Sequence, residues 1–95
     1  MASYKHELSI SSLTSTEEWI RIGIKLQFYE VDVDSNQVGP MLINDEIRYN
    51  HVRGTSPQES AQRLVGIIQN RIDAAKAENP SFVQILTYLN NNIVD

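Results

Sequence analysis

Apolar and polar residues alternate through the first part of the chain and recur at helical spacing through the second. Tyr4, His6, Leu8 and Ile10 alternate with Lys5, Glu7, Ser9 and Ser11. This period of two suits a half-buried strand and predicts one over positions 4–12. The run Leu13-Thr14-Ser15-Thr16-Glu17 reads as a connection; Ser15-x-x-Glu18 has the form of a capping box, but alternation resumes after it, so at most one helical turn fits. Ile20, Ile22, Ile24, Leu26 and Phe28 then share one face, and Arg21, Lys25 and Gln27 the other. The pattern predicts a strand over 18–33 with its even face buried. After Phe28 the apolar positions move to Tyr29, Val31 and Val33, which implies a bulge, a bend or a strand that leaves one partner for another.

The segment DVDSNQVGP, rich in turn-forming residues, predicts an exposed loop. MLINDEIRYNHV fits either one strand, within 41–53, or a hairpin turning at Asn44-Asp45. The hairpin is preferred, because a single strand would set Asp45 on the apolar face with Ile43, Ile47 and Tyr49. Ser56 then offers a cap, Pro57 suits the first helical position and Glu59 completes a capping box. Ala61, Leu64, Val65, Ile68, Ile72 and Ala75 form an apolar stripe, with Glu59 and Arg63 spaced for a modest i,i+4 pair, and predict a helix over 57–78. Asn79-Pro80 ends it and opens a second, over 80–92, whose stripe is Phe82, Ile85, Leu86, Leu89 and Ile93. The expected fold is α+β: one domain over 1–95, with an antiparallel β-sheet of three to four strands followed by two α-helices packed on one face.

Composition narrows the function classes. Ninety-five residues suffice for one core, and 41% apolar with 21% charged is an ordinary globular balance. The chain has no cysteine, which removes disulfides, thiolate nucleophiles and cysteine-containing zinc sites and leaves self-association as a source of extra stability. A net charge of −4 argues against broad nucleic-acid binding, which needs a clustered basic face. The start MASYKHELSIS is not of secretory form, and no stretch has the roughly 20 apolar residues of a membrane span, so a cytoplasmic protein without membrane contact is expected.

Catalytic patterns are wanting. Asp32-x-Asp34-x-Asn36 matches the opening of a calcium loop, but Gln37 stands where the sharp turn needs glycine and Ile43 where a bidentate glutamate closes the shell. His6 and His51 have no ligand spacing typical of zinc and fall on predicted strands. No Gly-x-Ser-x-Gly elbow, P-loop or Gly-x-Gly-x-x-Gly occurs, and Glu17-Glu18 and Asp45-Glu46 fall in expected turns, where nothing desolvates them. The expectation is no catalytic residue, no metal and no cofactor.

Two surfaces stand out. Arg48, Tyr49, His51, Arg53, Gly54, Thr55 and Ser56 lead into a helix N-terminus, whose free N–H groups and partial positive charge suit a small anion or a nucleotide. On the odd face of the long strand, Trp19, Tyr29, Val31 and Val33 form an aromatic and β-branched patch suited to a partner, unless the chain bends them into the core.

The stretch LINDEIRYNHVRGTSPQESAQRLVGII resembles a hairpin-and-helix module of some bacteriophage tail proteins: a strand, a turn with asparagine, a strand, a short Gly-Thr loop and a helix rich in Ala and Leu. It covers under a third of the chain, and departs from that pattern in having Asn44-Asp45 where the module has Asn-Gly, and a second helix where it has further strands. The resemblance implies an origin in a phage or mobile element and assigns no function. The leading expectation is a non-enzymatic binding or regulatory protein that self-associates as a homo-oligomer, through the sheet face or an edge strand, or contacts another protein. The alternative is a binder of a small anionic or nucleotide ligand at Arg53–Ser56; an enzyme using His51 ranks last.

Overall fold

The computed structural model describes residues 3–94, without the side chains of 80–83, so that Phe82 of the expected stripe lies outside what is described. Three strands precede one long helix: β1 (Ser3–Ser15), β2 (Trp19–Val31), β3 (Ile43–Val52) and α1 (Pro57–Asn92). The strands form an antiparallel sheet in the order β1-β2-β3, followed by a bent helix of two pieces that packs on it through the first, which is the expected α+β class. The helices expected over 57–78 and 80–92 are those pieces, joined without a loop through Asn79-Pro80. Pro80 contributes no N–H to the helical ladder, a common origin of such a bend.

β1 runs past position 12 because of a bulge. Ile10 pairs with Ile24 and Ser12 with Gly23, leaving Ser11 as the extra residue. The shift returns Leu13, opposite Ile22, to the face that carries Ile10, so a strict period of two stops short of the strand's end.

From Ile24–Ile10 out to Val31–Ser3 β2 keeps a regular register with β1, so Tyr29 and Val31 stay on the odd face. Its other neighbour changes. β3 pairing ends at Ile43–Phe28, and the following loop takes over that edge: Leu42 N–H donates to Phe28 O (2.8 Å), Val38 N–H to Glu30 O (2.9 Å), and Val31 bridges to Gln37.

β3 is a single strand, which corrects the preferred hairpin: Asn44 and Asp45 pair with Gln27 and Leu26. Asp45 does share the face of Ile43 and Ile47. Its carboxylate is satisfied there, accepting from the Arg71 guanidinium of α1 and, at 2.9 Å, from the Glu46 N–H, while the strand's edge position leaves it partly in water.

The core lies between this inner face and α1. Leu26, Ile47 and Leu64 are its centre, with Ile24, Ile43, Tyr49 and Ile68 packed against them. Gly54, at φ 90°, turns the chain from β3 into the helix, where Ser56 Oγ accepts from Gln58 N–H (3.2 Å) and Pro57 opens the first turn.

α1 crosses the sheet obliquely. Its first turns contact β3 through Ser60 and His51; further on, Lys76 sits over the Tyr4 ring, which stacks on Phe28 at 5.2 Å, and Asn79 donates to Tyr4 Oη (3.5 Å) and Glu30 Oε1 (3.1 Å). Away from Tyr4 the inner face of β1 stays uncovered, with Ile10 66% and Leu13 64% exposed. Beyond Asn79 the helix becomes an arm whose Ile85, Leu86, Leu89 and Ile93 are exposed. The molecule measures 60 × 28 × 20 Å with a radius of gyration of 17.6 Å, where a compact chain of this length has about 12 Å.

Candidate functional site

The residues expected to hold an anion are placed apart and largely engaged. Arg48 lies on the outer face of β3, its Nε donating to Glu46 Oε1 at 2.8 Å. The guanidinium, followed by the Ser11 hydroxyl at 2.7 Å, holds the Glu46 carboxyl below its ordinary range, and Glu46 raises Arg48 in turn. Arg53 instead fastens the end of β3 to the β1–β2 turn, through Nε to Thr16 O (2.8 Å) and its N–H to Glu18 O (2.9 Å). Thr55 Oγ donates to Val52 O, and Ser56 is spent as the cap. Tyr49 and Thr55 do meet, with Ser60 and Arg63, around a cleft of about 80 Å³ that Glu59 also lines. That is the room of a few waters. Arg48 and Arg53 are not part of it.

Ser60 is the residue that sequence reasoning passed over. It is buried, with Oγ 2.6 Å from His51 Nδ1. The available signal was its place in the column Ser60, Leu64, Ile68, Ile72, one helical turn apart on the inward side. The pair acts as a polar tie between β3 and the first turns of α1. Asp32 likewise serves its own loop, Oδ1 accepting from the N–H groups of Asp34 (2.9 Å) and Asn36 (3.0 Å) while Ser35 adopts φ 64°. Among the described residues no three metal-ligating side chains gather.

The four residues expected at an interface do not make one patch. Tyr29 is buried, Trp19 and Val31 are half-buried, and Val33 is fully exposed in the loop. Trp19 and Val31 stand at opposite ends of β2, roughly 40 Å apart at strand rise. Trp19 is occupied by the Arg21 guanidinium, 5.1 Å from its ring centroid, and Arg21 Nε donates to Asn50 Oδ1 (3.1 Å).

The exposed apolar surface lies elsewhere. On β1 Leu8, Ile10 and Leu13 are exposed, and Leu8 faces Val65 of α1 across a groove of about 340 Å³, walled also by Tyr4, His6, Phe28, Ile68, Gln69, Ile72 and Lys76. The arm carries a second apolar surface, and a cleft of about 650 Å³ separates Leu86 from Val38, Met41 and Leu42 of the β2–β3 loop. Both features follow from the path of α1, which leaves the sheet and takes its second stripe with it.

Set against family models, curated proteins and solved structures, the chain matches none. Among the described residues no helix is long and apolar enough to cross a membrane.

Proposed function

We propose that this protein is a non-enzymatic binding or regulatory protein that works through protein–protein contacts and self-association. One observation carries the reading. The chain exposes 7154 Å², whereas a compact monomer of its 10.8 kDa exposes about 5,500 Å². The excess, roughly 1,600 Å², is about twice what one partner contributes to a standard interface. Its apolar share is concentrated on the β1 face and the arm, the kind of contiguous surface that marks a contact site. Sedimentation velocity over the micromolar range is the direct test: concentration-dependent assembly is expected, and a monomer at every concentration refutes the reading. The alternative, an anionic or nucleotide ligand at Arg53–Ser56, has less support, because Arg53, Thr55 and Ser56 are already engaged within the chain.

A further inference from the structure

The β1 groove and the arm are complementary surfaces that one chain cannot bring together. The groove is a strip of sheet beside a helix, open where a second helix would lie. Packed helices stand 8–10 Å apart, and strands about 4.8 Å, so a helix beside α1 comes to rest over β1. The arm is a helix whose described apolar side chains, Ile85, Leu86 and Leu89, are all exposed. Residues 79–94 form the longest run in the chain without a charged side chain, in a protein that is 21% charged, and 8–15 on β1 carry no charge either. An exposed helix normally devotes its outward face to charge.

Within one chain these surfaces face apart. Among the described side chains of α1, Asn79 is the last with a hydrogen bond to the sheet, to Tyr4 and Glu30, and the arm continues from there, whereas Ile10 and Leu13 lie back towards the other end of β1. A return path would require a connecting loop, and the helix is continuous through 79–81.

We infer that two copies of this chain pair through α1 in antiparallel fashion about Asn79, each laying its arm along the uncovered β1 face of the other. The inference rests on the self-association proposed above and specifies its geometry. Val65 and Ile93 each lie fourteen residues from Asn79, so the antiparallel pair sets Ile93 of one copy beside Val65 of the other. These two side chains are 64% and 65% exposed. By the same spacing Leu89 meets Gln69 and Leu86 meets Ile72, with Leu8 beneath them and Ile10 and Leu13 further along the same face of β1. The arrangement is two-fold and closes on itself, which limits assembly to a dimer. Two exchanged arms of about 20 Å each also suit the area of an interface of standard size.

The absence of native cysteine makes the register testable by disulfide trapping, since a bridge forms only where Cα atoms approach within about 7 Å. Val65→Cys and Ile93→Cys are made as separate chains, each checked for native helix content by circular dichroism, then mixed and mildly oxidised. A one-to-one cross-linked heterodimer is expected from the mixture and little cross-linking from either chain alone. Gln69→Cys mixed with Leu89→Cys repeats the measurement at a second level and behaves the same way. If the native chain sediments as a dimer but neither mixture cross-links, or if Ile93→Cys links to itself, the arm exchange is wrong while self-association stands. If the native chain is monomeric throughout, both fall.

Discussion

At position 23 the sheet has room for a hydrogen and nothing larger. A Cβ there would stand 2.3 Å from Ser12 Oγ and 2.9 Å from Ser11 Oγ, because the β1 bulge presses two serines against β2 at that point. The missing side chain also opens the way for Ser11 on β1 to reach Glu46 on β3 across the intervening strand. Gly23→Ala is expected to destabilise the fold by about 1–3 kcal/mol in urea unfolding, and Ser12→Ala in the same chain to restore part of that loss. None of this was legible from the residues alone, since a lone glycine in an alternating run shows only that something approaches closely. Asp45 was misread for a related reason. The penalty for an unpaired carboxylate on an apolar face was correctly weighed, but its partner, Arg71, is 26 residues away and appears only once α1 crosses β3.

Elements were legible in proportion to how local their determinants are. The start of α1 depends on Ser56 and Pro57 and lies where the sequence places it. The end of β1 depends on a bulge, and the neighbour of β2 beyond Phe28 on a loop that folds back, so both escaped a reading based on periodicity. The attachment of α1 to β3 is electrostatic at Asp45–Arg71, and that gives it a pH dependence. The Arg71 hydrogen bond, then the Glu46 N–H, lowers the Asp45 pKa below its ordinary 3.8. A carboxyl depressed in the folded state contributes stability that is complete above the ordinary value and is lost as pH falls through the folded one. Glu46, depressed from 4.5 by Arg48 and Ser11, acts in the same direction. Melting temperature should therefore drop on acidification below about pH 4. Asp45→Asn should flatten that drop and Glu46→Gln flatten it separately; an unchanged acid limb in both variants would show that neither carboxyl is linked to folding.

For the whole molecule the decisive quantity is the surface left uncovered. Composition announced an ordinary globular chain, and the apolar stripes were all visible in the sequence. What could not be read was which stripe would find a partner inside the same chain, because that depends on the direction in which a helix leaves a sheet. For the proposed dimer, the arm has consequences for how assembly responds to its surroundings. The arm carries no charge and so can form no ion pair with the face it covers, so sodium chloride should barely change the dissociation constant of the proposed dimer, whereas urea should raise it and sulfate lower it. A titration in which added sodium chloride weakens the dimer markedly would place the contact on charged surface instead. An association of this kind ignores the ionic state of its medium and answers chiefly to abundance, so that the share of paired chains measures how many copies are present.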